Sequence, residues 1–150
     1  SNSNPYTPAV NLVFALDESL KMMRDEGLDN IFLRHNKHKL AMSNAVKVLN
    51  LKLFADEKYL SPSVTAIKTE GMDAEQFRKT IKDKFDILLA GGQDHLKGKI
   101  FRVGHLGYVN DRDIITIISA ISNTLISLGK ISAQQAGEAL VIASKYLEGN

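Results

Sequence analysis

The sequence predicts an α+β domain: a small, mostly antiparallel sheet of about four strands, covered by helices on one face. Three observations carry this expectation. Apolar residues recur at helical spacing near both ends of the chain. Short β-branched and apolar runs fill the middle, bounded by Gly, Pro and Asn/Asp signals. A further helical pattern divides those runs into two pairs, so the order reads helix-helix-strand-strand-helix-strand-strand-helix-helix.

Residues 1–10 are polar and contain two prolines, Pro5 and Pro8, which bias their preceding residues away from helix. They read as an extended lead-in, with Ser1-Asn2 taken as a cloning scar and residues 11–150 as one small C-terminal domain of a longer chain. Leu12, Leu16, Leu20 and Met23 mark the first helix, which Gly27 stops. Asp29 and Asn30 are expected to cap a second helix running to about Leu49. Its apolar stripe is read as Leu33, Leu40, Ala41 and Val48, and its solvated face as Arg34, His35, Lys37, His38 and Lys39.

The period then changes. Leu51–Phe54 and Val64–Thr69 are the first two strand candidates. Asp73 and Gln76 form an Asp-led capping box ahead of a helix with Phe77, Ile81 and Phe85 on one side. Ile87–Ala90 and Lys99–Val103 are the other two strands, separated by a loop that opens on Gly91-Gly92. Ile114, Ile118, Ile121, Leu125 and Leu128 define the next helix. Ser132 and Gln135 box the last, whose buried face is Ala136, Ala139, Leu140, Ala143 and Leu147. No internal repeat or low-complexity tract is visible.

Composition narrows the function classes. Nineteen Lys and Arg against 17 Asp and Glu leave a net charge of +2, which argues against a nucleic-acid binder with a dense basic patch. The chain has no cysteine, so disulfides and thiolate chemistry are excluded; this fits a reducing compartment without fixing one, and the expected location is cytoplasmic. Thr116, Ser119, Ser122 and Asn123 interrupt the apolar run from Ile114 to Leu128, so a buried amphipathic helix is expected and no membrane span.

Arg102 is the sharpest single feature. It sits inside a strand, where a buried charge without a partner costs several kcal/mol. Alternation places it opposite Phe101 and Val103, and Gly104 and Gly107 follow, leaving room for a ligand or another backbone. Its rigid fork matches a carboxylate. Two readings stand on pattern alone: a ligand-binding arginine, and an arginine on the solvent side of a half-exposed sheet, with or without an Asp partner. Gly91-Gly92-Gln93 matches a release-factor tripeptide, but without that protein's long basic loop a plain turn is the better reading. The segment ending at Gly98 lacks the Lys-Ser/Thr of a phosphate loop. His35 and His38 stand three apart on a helix but lack a third metal ligand, so no metal site is expected. His95 and His105 are left without assigned roles. No Ser-His-Asp set, paired carboxylate or marked Schiff-base lysine emerges from spacing.

One stretch carries a resemblance. Lys97-Gly98-Lys99-Ile100-Phe101-Arg102-Val103-Gly104-His105-Leu106-Gly107 is similar to the Gly-Lys-x-x-Arg-Ile-Gly-x-x-Gly segment of class V, fold-type I aminotransferases of the alanine–glyoxylate and serine–pyruvate group. Gly91-Gly92 resembles that family's glycine pair, and Thr7-Pro8-Ala9-Val10 its Thr-Pro-Pro-Val lead-in. Ala15–Leu20 and Glu26–Asn30 also fit, so the resemblance covers nearly the whole chain in order and includes the branch of cyanobacterial soluble-hydrogenase small subunits.

The resemblance implies the small domain of an enzyme that uses pyridoxal 5'-phosphate. That enzyme would move an amino group from a small amino acid, alanine or serine, to a 2-oxo acid such as glyoxylate or pyruvate. Arg102 would bind the substrate α-carboxylate, and Thr7 the cofactor phosphate across a homodimer interface. Gly91 and Gly92 would support the active-site loop. Asn4 stands where the family often has a tyrosine, and Gln93–Leu96 departs from the family's loop. The Schiff-base lysine would lie on a separate large domain, so the chain alone is expected to be inactive. The alternative is a regulatory or subunit-assembly domain without catalysis.

Overall fold

The computed structural model describes residues 6–149, so the scar reading and the departure at Asn4 lie outside the described residues. These residues hold five α-helices and four strands in the expected order. The chain divides into two compact units, residues 1–34 and 35–150.

In the first unit, α1 (Val10–Glu26) has the expected apolar spacing, yet none of its residues is buried. Gly27 ends it at φ 84°, a conformation that suits a residue without Cβ, and its N–H donates to Met23 O. α2 (Leu28–Val48) begins one residue ahead of the expected caps. Asn30 instead turns its Nδ2 back to Glu26 O at 2.8 Å. Arg34 then takes both oxygens of Glu26, through Nε at 2.6 Å and Nη2 at 2.9 Å.

The second unit contains the core and the sheet. β1 (Lys52–Leu53), β2 (Val64–Lys68), β4 (Ile100–Gly104) and β3 (Ala90–Gly91) lie side by side in that order, every neighbouring pair antiparallel. Thr65, Ile67, Phe101 and Val103 are buried and line one face of the two central strands. Against them pack Ala41, Met42, Ala45 and Val46 from the end of α2 and Leu49 just beyond it, with Phe77 and Ile81 from α3 (Ala74–Phe85). Ile114, Ile118, Ile121 and Leu125 of α4 (Asp111–Ser127) and Ala139, Ala143 and Leu147 of α5 (Ala133–Glu148) complete the core. The Phe77 and Phe101 rings are 5.1 Å apart, the range of attractive aromatic pairs, which fixes α3 on the central strand.

Local chemistry sets the helix ends. Asp73 caps α3 by accepting from the Glu75 and Gln76 backbone N–H groups. Asp73→Ala is expected to cost about 1 kcal/mol, read as a lowered urea midpoint with unchanged slope. Asn110 and Asp113 form a reciprocal capping box on α4. At α5 the expected box forms by half: Ser132 accepts from Gln135 N, but the Gln135 side chain donates to Val48 O at 2.7 Å and ties α5 to the end of α2.

Several boundaries and faces depart from the sequence expectation. The third strand is Ala90–Gly91 rather than Ile87–Ala90, because Leu89 turns into the core and ladder pairing starts one residue later. Leu33, Phe85 and Leu128 are exposed, and the buried stripe of α2 in this unit is His38, Ala41, Met42, Ala45 and Val46, continued by Leu49 in the turn that follows. His38, expected on a solvated basic face, is fully buried.

Candidate functional site

Arg102 occupies the middle of β4, where the register sets it opposite Ala66 on β2 and Ala90 on β3. These three residues share the sheet face that points away from the core. Alanine neighbours on both sides leave a half-buried guanidinium room that larger side chains would take. Its Nε donates to Gly91 O at 3.0 Å. Among the described residues no salt bridge joins Arg102 to an acid, so the sheet-face reading stands without the optional Asp partner. With Nε engaged, the terminal Nη1/Nη2 edge is the one suited to a bidentate carboxylate.

The two glycines after β3 begin have a steric reason. A Cβ at Gly91 would lie 2.5 Å from Arg78 Nη1 and 2.8 Å from Glu75 Oε1. A Cβ at Gly92 would collide with the Leu96 carbonyl of the 3₁₀ turn Asp94–Leu96, and Gly92 N donates to Ile100 O at 3.2 Å. The glycine pair therefore lets the edge strand and its turn close tightly beside Arg102. Gln93 starts that turn, and His95 within it is exposed.

His105 follows Arg102 by three residues and is completely buried. Its Nδ1 lies 3.1 Å from Pro62 O and its Nε2 2.9 Å from Thr65 Oγ1. A carbonyl only accepts, so Nδ1–H donates to Pro62 and Nε2 accepts from the threonine hydroxyl. Burial is the main cause that pulls its pKa down to about 4; the Pro62 hydrogen bond acts against it, and the fields of His38 and His35 add to it. The ring is neutral at pH 7 and pins the start of β2 to the end of β4. His38 Nε2 lies 2.9 Å from Asp111 Oδ1, and Lys37 Nζ is 3.5 Å from Asp111 Oδ2, which joins α2 to the first turn of α4.

Arg102, Gly91 and Gly92 thus gather around the β3–β4 edge, while His105, in the same unit, bonds to the β2 side of β4. Thr7 lies in the other unit, exposed, in the segment before α1. Reading the sequence missed Glu75 and Arg78, although their i, i+3 spacing on a helix is a visible ion-pair signal. It also missed Thr65, for which no local signal exists.

Comparison with models of known protein families finds no match. Individual relatives are clear. The soluble hydrogenase 42 kDa subunit of Anabaena cylindrica is 53% identical over 128 residues, 85% of this chain and 33% of that protein. The serine–glyoxylate aminotransferase of Methylorubrum extorquens is 34% identical over 149 residues, 97% of this chain and 36% of that protein. The chain is a homologue of the class V aminotransferases. The crystal structure of the ureidoglycine–glyoxylate aminotransferase from Bacillus subtilis matches with a TM-score of 0.85 and 29% identity, over 93% of this chain and 37% of that one. The α+β fold is therefore that of a PLP-transferase aminotransferase segment. The chain spans about a third of the length of the relatives it matches. No helix of the described residues is long and apolar enough to cross a membrane.

Proposed function

We propose that residues 11–150 are the small domain of a longer aminotransferase, and that this domain binds the substrate's α-carboxylate through Arg102. The parent enzyme takes an amino group from a small amino acid, alanine or serine, and gives it to a 2-oxo acid such as glyoxylate or pyruvate. One observation carries the assignment: a strand arginine anchored through Nε alone, between two alanines, with no acid paired to its guanidinium among the described residues. The names of the serine–glyoxylate and ureidoglycine–glyoxylate relatives support the reaction class.

The residues present fit only part of the site. Pyridoxal phosphate, when bound to the whole enzyme, supplies the electron sink. Every described lysine is exposed or half-buried, so none provides the buried setting that a Schiff-base lysine requires, and the attachment point belongs to the rest of the parent. Thr7, exposed ahead of α1, is the residue here that would donate to the cofactor phosphate in a cytoplasmic homodimer. Arg102 orients the substrate by a two-point grip, which converts binding energy into alignment of the reacting bond. The isolated chain is inactive on this reading.

The test uses the full-length protein loaded with pyridoxal phosphate. Adding alanine or serine should convert the bound cofactor to its pyridoxamine form, and glyoxylate or pyruvate should restore the starting spectrum. No spectral response to any small amino acid would reject the proposal in favour of a non-catalytic domain.

A further inference from the structure

The acceptor that anchors Arg102 sits on the weakest part of the sheet. β3 is two residues long and lies at the edge, paired only with β4. So short a ladder fixes a carbonyl poorly by itself. Its support comes from α3. Arg78 Nε donates to Leu89 O at 2.7 Å, immediately before β3. Arg78 Nη1 donates to Glu75 Oε2 at 2.8 Å, and both side chains are partly shielded from solvent. The same pair lies directly against Gly91, at the positions where a Cβ would collide with it. α3 itself is immobilised by the Asp73 cap and by Phe77 and Ile81 in the core.

We propose that Arg78, braced by Glu75, is a positioning residue for Arg102. It acts through backbone: Arg78 fixes Leu89 O and packs on Gly91, Gly91 O fixes Arg102 Nε, and the terminal edge of the Arg102 guanidinium is thereby aimed. An arginine is needed at position 78 because Nε and Nη1 bond two partners at once from one rigid plane, which a lysine ammonium on a flexible stem cannot reproduce. This inference rests on the reading of Arg102 as the carboxylate clamp.

The experiment compares full-length holoenzymes carrying Arg78→Lys, Glu75→Gln or Arg102→Ala with the parent, by crystal structure and by steady-state kinetics. Arg78→Lys should release the Arg102 Nε to Gly91 O bond and raise KM for the amino donor about tenfold with kcat within about twofold, as expected of a displaced binding group. Glu75→Gln should keep a bond to Arg78 and show a smaller rise in KM. Adding Arg78→Lys to Arg102→Ala should cause no further loss, because both act on one contact. An intact Arg102 anchor in the Arg78→Lys structure, or an unchanged KM, overturns the positioning role. An unchanged KM in Arg102→Ala as well identifies the clamp reading as the one that failed.

Discussion

Arg102→Ala in the full-length enzyme is expected to lower kcat/KM for alanine or serine by about 100- to 1000-fold, while the absorbance of bound pyridoxal phosphate stays as in the parent. The size follows from what is removed. A bidentate carboxylate pair makes two charge-assisted hydrogen bonds, each worth about 1.5–3 kcal/mol. Losing both costs about 3–4 kcal/mol when each bond counts near the lower end of that range, as it does at a site open to water, and each 1.36 kcal/mol is a factor of ten. Most of the loss should appear in KM, since the grip acts on substrate before and during reaction. Arg102→Lys keeps the charge and loses the planar fork, so an intermediate loss of about 10- to 100-fold is expected. The folded structure should tolerate either change, because Arg102 lies on the face away from the Phe101–Val103 core side and gives up only the bond to Gly91 O. A kcat/KM for Arg102→Ala within threefold of the parent sinks the clamp.

The element order was legible because the two periods differ so plainly along this chain. Helical spacing of Ile114, Ile118, Ile121 and Leu125 and the β-branched Val64–Thr69 run describe the observed elements closely. What failed was the sense of which apolar residues are covered. Leu33 falls on the apolar stripe expected of α2 and is exposed. Periodicity finds a face and cannot say what lies against it. His38 erred in the opposite direction. It falls at i−3 and i−4 from Ala41 and Met42, so the stripe itself pointed inward, but Lys37 and Lys39 on either side made the segment read as solvated. Only the fold places Asp111, 73 residues away, within reach of its ring.

For the site, strand alternation correctly put Arg102 opposite Phe101 and Val103, and the glycines marked a close approach. The partners were not legible, since they are non-local backbone atoms. Gly91 O lies eleven residues from Arg102, and Leu89 O eleven from Arg78. No side-chain pattern encodes a carbonyl acceptor. Antiparallel pairing of β3 with β4 brings the first of these together, and packing of α3 beside β3 the second.

His105 makes the β2–β4 end sensitive to acid, and the sign is fixed by the direction of its shift. In the unfolded chain its pKa is near 6.5, and in the folded chain it is pulled down to about 4. Between those values the unfolded state binds the proton and the folded state does not. Stability from His105 is therefore complete above about pH 6.5 and is lost as pH falls through about 4. The shift corresponds to about 3 kcal/mol, a large part of the stability of an ordinary small domain. Protonation would also force Nε2 from acceptor to donor against Thr65, whose hydroxyl must then turn to accept. His105→Gln can still donate to Pro62 O and accept from Thr65 without titrating. Urea unfolding of the chain at pH 7 and pH 4 should show the parent losing about 3 kcal/mol more than His105→Gln over that interval. Equal losses in the two proteins would assign the acid sensitivity elsewhere. Because His105 is three residues from Arg102, the same titration should loosen the end of β4 that carries Arg102, the proposed clamp. A fall in apparent affinity for the amino donor below pH 5, absent in His105→Gln, is expected to accompany the loss of stability.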